Sequence, residues 1–364
     1  MAKDKAQGAA EFECGIGIMS GTSCDGLDLA LCRFPGGTGT AYELLLFRSK
    51  PFPENLRQRL LAAVDCTAMG LAELERDFTD YSIAEVNSFL AEAKAQGHKA
   101  QYISNHGHTV FHRVEASITR QMLDGGRMSV MCGLPVVCDF RRQDIALGGQ
   151  GAPLVPMGDV HLFSEYGACI NLGGFANVSF PKSTPLLAYD ICPANLVLDH
   201  VAAGLGHAFD PDGSLARSGR LLEELLDALN ALPYYRLPAP KSLGREWLSE
   251  FLMPLLEGGG AVAQDVLHTL VEHIAQQVSA ALKQETYQGR VLITGGGARN
   301  GYLMERIAAH CQSAIHVPEG PLCEAKEALI FALLGKWRLE GRPNVSAEVT
   351  GAQRFQCAGA VYLP

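Results

Sequence analysis

Three glycine-rich turns, each behind a short apolar run, carry the residues best suited to chemistry. The first is SGTSCDGLD, with Gly21, Thr22, Ser23, Cys24, Asp25, Gly26, Leu27 and Asp28. The second is NLGGFAN, with Gly173 and Gly174; the third is TGGGARN, with Gly295, Gly296, Gly297 and Asn300. Glycine lets a backbone approach a ligand closely and reach positive φ, so that successive N–H groups converge on phosphate oxygens. Any one such turn is equally what a tight hairpin needs. Three of them at comparable places, all with hydroxyl or amide side chains, favour a nucleotide held between two lobes. The first is not a P-loop: Gly21 and Gly26 have the spacing, but Leu27 and Asp28 stand where Lys and Ser/Thr belong. No G-x-G-x-x-G opens a helix, which argues against a dinucleotide fingerprint.

Acid–base and binding groups lie elsewhere. Asp190 follows the apolar LLAY and precedes a helical stretch, a place for a general base or for a helix cap. DFRRQD supplies Arg141, Arg142 and Asp144, and adjacent arginines in an acidic chain suit either an anionic substrate or a surface ion pair. NHGHTVFH brings three histidines, His106, His108 and His112, but no helical setting or nearby cysteine that would make a metal site. Asp25 or Asp28 is the expected Mg²⁺ carboxylate, since Mg²⁺ keeps waters and needs few protein ligands; the sequence does not choose. Cys24 and Cys192 read as packing residues, without an activating base nearby in sequence.

The elements that must position these groups repeat one plan. LDLALCRF alternates as a half-buried strand, and YELLLFRS follows it through a glycine turn. Leu71, Leu74, Phe78 and Tyr81 recur at helical spacing, with Gly97 as the stop. A strand then runs into SNHGHTVFHR. ACINLGGFANVSF restarts strand, glycine turn, strand, and LLAYDICPANLVLDHVAAGLG runs from strand to helix. Val266, Leu270, Ile274, Val278 and Leu282 mark a long amphipathic helix before the third turn, and EAKEALIFALLGKWRLEG is the last helix. Such duplication predicts two related α/β domains with ligands between them.

The chain's 364 residues suit two domains or one large one. A net charge of −9 argues against nucleic-acid binding, and no segment reads as a signal peptide or a membrane span. Eleven cysteines without a CxxC read as reduced thiols in a cytoplasmic protein and not as a zinc site.

MSGTSCDGLD, NHGHTVFH, DFRRQDIALGGQGAPLVP, NLGGFANVS, PKSLGRE, ITGGGARN, EAKEA and VTGA together closely resemble the anhydro-N-acetylmuramic acid kinase family, in its order and from about Gly15 to Ala352. The resemblance implies two ribonuclease-H-like lobes of the actin-like ATPase kind around a central ATP and substrate cleft. It places the N-terminal lobe at 12–138 plus 347–364 and the C-terminal lobe at 139–346. It implies ATP and Mg²⁺, with water opening the 1,6-anhydro bond and O6 phosphorylated, to give N-acetylmuramate 6-phosphate and ADP in murein recycling. Asp190 matches the catalytic aspartate. Gly21 to Asp28, Gly173 and Gly174 match the phosphate turns, and Gly295 to Gly297 with Asn300 lie near the adenosine. Thr109, Arg141, Asp144 and Glu327 match substrate contacts, and the family suggests a homodimer. The chain departs from the family's D-T-G-P-G-N at Ile191, Cys192 and Ala194, and has His108 where many members have Gln. Kinases of another sugar, or a nucleotide-binding homologue without catalysis, are the competing expectations.

Overall fold

The alternation in the N-terminal residues becomes an antiparallel hairpin. β1 (Cys14–Ser20) pairs with β2 (Gly26–Arg33), and β2 with β3 (Glu43–Pro51). The computed structural model describes residues 12–21, 23–36, 41–239, 241–257, 260–284 and 289–364; Thr22 lies outside them. The chain divides into two compact units, one built from residues up to Leu162 and from Glu327 onward, the other from Phe163–Lys326. The segments 139–162 and 327–346, which the sequence reading assigned to the C-terminal lobe, cluster with the first unit.

In the first unit β4 (Tyr102–Arg113) runs parallel to β1 and carries β6 (Val136–Cys138) on its other side. The order β3-β2-β1-β4-β6 is the ribonuclease-H-like arrangement. β12 (Ala360–Tyr362) closes the far edge, and β5 (Ile118–Met122) pairs with the extension of β4. The long helix Ala68–Ala95 starts where Thr67 accepts the Gly70 N–H, and Gly97 follows it in left-handed geometry at φ +81°. The helix Leu322–Leu339, from Glu327 on, lies directly against β1. A Cβ on Gly17 would meet the Ala328 carbonyl at 1.7 Å, and one on Gly335 would meet Ser104. Glycine is therefore required at both places by the close approach of helix and sheet. Tyr102 Oη donates to the Ala332 carbonyl (2.8 Å), fixing that contact.

The second unit repeats the order. β7 (Ala168–Leu172), β8 (Phe175–Phe180) and β9 (Leu187–Pro193) are antiparallel neighbours; β10 (Arg290–Thr294) and β11 (Ala314–His316) extend the sheet in parallel from β7. The amphipathic helix Ala263–Gln284 buries Val266, Leu270, Ile274, Val278 and Leu282 in this unit's core. The two mixed sheets thus bear out the expected α/β class with duplicated ribonuclease-H-like units. Among the described residues, no helix is long and apolar enough to cross a membrane.

Candidate active site

In the first unit the glycine turn between β1 and β2 is held from β4. Cys24 N–H donates to the Gly21 carbonyl (3.1 Å), and Cys24 takes φ +58°, an uncommon value outside glycine. His108 lies beside Ser20 in the parallel register. Its Nδ1 is 2.9 Å from Ser20 Oγ and its Nε2 is 3.6 Å from Cys24 Sγ. His108 is thus a strut between β4 and the turn. Leu27 is buried in the core, Asp28 is half-buried on β2, and Asp25 is exposed with its carbonyl accepting the Phe52 N–H.

The turn's glycines divide by what surrounds them. A Cβ on Gly26 would strike the Lys50 carbonyl at 2.3 Å, so strand pairing requires that glycine. A Cβ on Gly21 would press on the Ser23 hydroxyl at 3.3 Å and reach the Ser23 N at 4.0 Å, a tight contact with a side-chain end in place of a backbone clash.

Further along β4, burial and the neighbouring Arg141 hold His106 well below the usual imidazole range. Its ring is therefore neutral. Nδ1 donates to the Gly107 carbonyl (2.9 Å), which leaves Nε2 as an acceptor for Arg141 Nε and Nη2 (3.0 and 2.8 Å). Arg141 Nη1 donates to the Gly151 carbonyl (2.6 Å). Burial lowers the guanidinium to about 10, against the opposing pull of Glu327 and Asp144, and it stays charged at neutral pH. Arg142 points away, exposed, and pairs with Asp139 (3.4 Å), so the two adjacent arginines do not act together.

Asp144 is fully buried and organises the glycine loop after it. Its oxygens accept from the Gly151 N–H (2.6 Å), Thr350 Oγ1 (2.8 Å) and Gln356 Nε2. These contacts make it the anchor that shapes the loop beneath Arg141. Thr109, half-buried, accepts from Gln121 Nε2 (3.3 Å), which leaves its own O–H to donate. His112 Nδ1 is 3.1 Å from Thr119 Oγ1. Each of the three histidines is thus engaged within the protein. Among the described residues, no group of three or more His, Cys, Asp or Glu is placed to hold a metal ion.

In the second unit the turns after β7 and β10 come together at the start of the helix Asn195–Ala203. The Gly173 carbonyl accepts the Asn195 N–H (3.1 Å), and the Gly174 carbonyl accepts those of Ala194 and Leu196 (2.9 and 3.2 Å). A Cβ on Gly174 would meet Leu196, and one on Gly297 would meet Leu172 and Asn195; Gly295 sits at φ +90°. Gly173 and Gly296 are different. A Cβ there would meet nothing closer than 3.4 Å and 3.6 Å respectively. Asn300 caps the helix Gly301–His310, its Oδ1 accepting the Leu303 N–H (3.0 Å).

Asp190 lies in the middle of β9, immediately before a bulge. Asn177 pairs with Asp190 but Ala176 pairs with Cys192, so Ile191 is the extra residue. A bulge re-aims the side chains beside it, and bulges recur next to active sites. Ile191, Cys192 and Ala194 are all buried, and none takes a left-handed backbone; Ala194 has φ −130°.

One oxygen of Asp190, Oδ2, accepts the Leu243 N–H (2.9 Å). Burial raises its carboxyl to about 6 in spite of that hydrogen bond. A carboxylate poised near neutral pH is what general-base catalysis wants. The helix-cap role considered from sequence does not hold: the helix Asn195–Ala203 begins five residues on, with Ala194 at its N-cap and no side-chain cap bond.

Leu243, Lys241, Tyr234 and Gln121 carry the supporting contacts that sequence reading assigned no role. PKSLGRE pointed at two of them as a motif, but its spacing from Asp190 gives no signal of contact. Only folding brings a loop more than 50 residues away onto the carboxylate.

Residues 13–364 match the family model described as anhydro-N-acetylmuramic acid kinase. A relative from Vibrio vulnificus bearing that name is 36% identical over 96% of this chain and 98% of its own length. Another of the same name, from Vibrio cholerae, is 36% identical over 98% of this chain and 100% of its own. A solved structure, (R)-2-hydroxyglutaryl-CoA dehydratase component A from Acidaminococcus fermentans, is 15% identical with a TM-score of 0.47, covering 90% of this chain and 99% of that one. With a whole-length family match and relatives above 30% identity over nearly all of both chains, the chain belongs to the anhydro-N-acetylmuramic acid kinase family.

Proposed function

We propose that this chain is a phosphotransferase that uses ATP to convert 1,6-anhydro-N-acetylmuramic acid to N-acetylmuramate 6-phosphate and ADP, as a step of cell-wall recycling. The observation that carries the reading is Asp190, a carboxylate with one oxygen fixed and its pKa raised to about 6. Water attacks the anomeric carbon and passes its proton to Asp190. The bond from that carbon to O6 breaks, and O6 takes the γ-phosphoryl group from ATP. ADP leaves, and Asp190 returns its proton to solvent.

The backbone N–H groups around Gly21, Gly173 and Gly296 are the phosphate-facing parts of this reading, because a Cβ at each would meet a side-chain end first and strike no backbone atom. Gly295, Gly297 and Asn300 shape the adenosine side, and Gly26, Leu27 and Cys24 shape the first turn. Asp28 or Asp25 would hold Mg²⁺: both offer the hard carboxylate oxygen it prefers, and such an ion supplies charge neutralisation on the phosphates. Arg141, Thr109 and Glu327 contact the sugar, with Arg141 paired to its lactyl carboxylate and Asp144 holding the loop beneath. A homodimer in the cytoplasm completes the reading.

The reaction itself is the test. Purified protein is incubated with the anhydrosugar, ATP and Mg²⁺, and products are followed by phosphorus NMR and mass spectrometry. One sugar 6-phosphate per ADP is expected. Faster phosphorylation of a different amino sugar would assign a related kinase, and ATP binding without turnover would assign a non-catalytic homologue.

The division of the glycines gives a second expectation. Gly21→Ala, Gly173→Ala and Gly296→Ala keep the thermal stability of the parent but raise KM for ATP about tenfold, because the added methyl holds the phosphate off the backbone N–H and forfeits about one hydrogen bond to a charged group. Gly26→Ala instead loses roughly 1–3 kcal/mol of stability through overpacking against Lys50. Isothermal titration with a non-hydrolysable ATP analogue and thermal melts separate the two classes. Equal losses of stability across all four variants would refute the division.

A further inference from the structure

Three groups outside β9 converge on Asp190, and the reaction as written uses none of them. Tyr234 Oη donates to the Asp190 carbonyl (2.5 Å). The Asp190 N–H donates to the Lys241 carbonyl (3.1 Å). The Leu243 N–H donates to Asp190 Oδ2 (2.9 Å). Tyr234 and Lys241 are themselves joined: Lys241 Nζ donates to the Tyr234 carbonyl (3.2 Å) and lies 4.6 Å from its ring centroid. The aspartate is gripped on its N–H, its carbonyl and one carboxylate oxygen.

The grip falls beside the bulge at Ile191, where the strand loses its regular pairing and the side chains beside it are re-aimed. Without an outside hold, the carboxylate would sample several rotamers. With one, its two oxygens become inequivalent.

We propose that Tyr234, Lys241 and Leu243 are positioning groups for the base: Tyr234 Oη and the Lys241 carbonyl hold the Asp190 backbone, and the Leu243 N–H occupies Oδ2, so that Oδ1 alone receives the proton of the attacking water. This inference rests on the function proposed above. The titratable groups around the carboxylate are few. Cys192 and Tyr234 are pushed up by burial and stay neutral, and Tyr189 lies on the same strand. Lys241 is held below its ordinary range, chiefly by burial, and its charge is turned toward the rings of Tyr234 and Tyr189. His273, on the helix Ala263–Gln284, is neutral with a pKa of about 3 and bonds Tyr235 (2.9 Å) rather than the aspartate. The Leu243 N–H is therefore the contact that favours the ionised carboxylate.

The experiment compares the parent with Leu243→Pro, Leu243→Ala, Tyr234→Phe and Lys241→Met. Two readouts are taken: the pH profile of kcat, and a carbon-13 NMR titration of the Asp190 carboxyl in the protein without substrates. Leu243→Pro deletes the N–H, and its acid limb and NMR titration should both move up by about one pH unit, since a bond to the charged form is lost. Leu243→Ala keeps the N–H and should leave both where they are. Tyr234→Phe, which deletes the hydroxyl on the Asp190 carbonyl, and Lys241→Met, which keeps the Lys241 carbonyl but deletes the Nζ bond that holds Tyr234, should lower kcat about tenfold through misorientation, with KM for ATP within about twofold. An unmoved titration in folded Leu243→Pro, or a kcat in Tyr234→Phe and Lys241→Met equal to the parent's, overturns the proposal. Should the parent fail to turn over the anhydrosugar while Leu243→Pro still shifts the NMR titration, the proposed function fails but the hold on Asp190 does not.

Discussion

Asp190→Asn is expected to lose kcat by about 10²–10⁴-fold, the usual worth of general-base catalysis, while ATP binding is unchanged. Asparagine is nearly isosteric, and its side-chain oxygen can still accept the Leu243 N–H. What it cannot do is take a proton from water. The parent's own pH profile carries the same assignment. The base works only when ionised, and its pKa is about 6. kcat should therefore be flat above that value and fall tenfold per pH unit below it, and the variant's residual rate should lack this limb.

Stability should move in the opposite direction to activity. Asp190's carboxyl is raised in the folded protein from 3.8 to about 6, so folding favours its protonated form. The ionised form then costs stability at every pH above the folded value, and the cost vanishes below the unfolded value. Asp190→Asn should accordingly be more stable than the parent by about 1–3 kcal/mol at pH 7–8, with the gain gone below about pH 4. Urea unfolding at both pH values checks the sign. A variant that keeps full turnover, or one that is destabilised at neutral pH, sinks the assignment of Asp190 as a desolvated base.

The second large effect belongs to Arg141. Arg141→Met removes the donors to His106 Nε2 and to the Gly151 carbonyl, and takes away a positive charge that interacts with Glu327. Leaving such groups without their partner should cost roughly 2–4 kcal/mol of stability. If the guanidinium also pairs with the substrate's carboxylate, KM for the anhydrosugar should rise about 10- to 100-fold, with KM for ATP unaffected. Arg141→Lys should not rescue it, because a point charge cannot meet His106 and Gly151 in the fork geometry that the planar group provides. Steady-state kinetics on each substrate and thermal melts measure the two effects separately. A destabilised lysine variant with a parental KM for the sugar would leave Arg141 with a structural role alone, and a stable one with a parental KM would overturn both roles.

Much of this was legible in the residues. The strand, glycine turn, strand plan appeared twice, and both copies became the first two strands of a mixed sheet. The apolar spacing from Leu71 to Tyr81 and from Val266 to Leu282 became two long helices. The unit boundaries were less visible. Residues 139–162 and 327–346 carry no composition shift, and their allegiance is set by what they pack on. Gly17 and Gly335, for instance, let the last long helix press against β1 and β4.

For the site, sequence named Asp190, Arg141 and the glycine turns, because carboxylates, guanidinium groups and glycines carry their chemistry in their type. It could not separate Gly21, which faces the end of the Ser23 side chain, from Gly26, which faces the Lys50 backbone, nor Arg141 from the outward Arg142. Asp144 and Arg141 stood side by side as binding candidates, yet one anchors a loop through three hydrogen bonds and the other presents charge. Residue type and local spacing are properties of the chain and survive in any conformation. Which glycine is open, which nitrogen of His106 accepts, and why Asp190 titrates near 6 depend on burial and on partners as far off as Leu243. Those are properties of packing, and only the tertiary structure decided them.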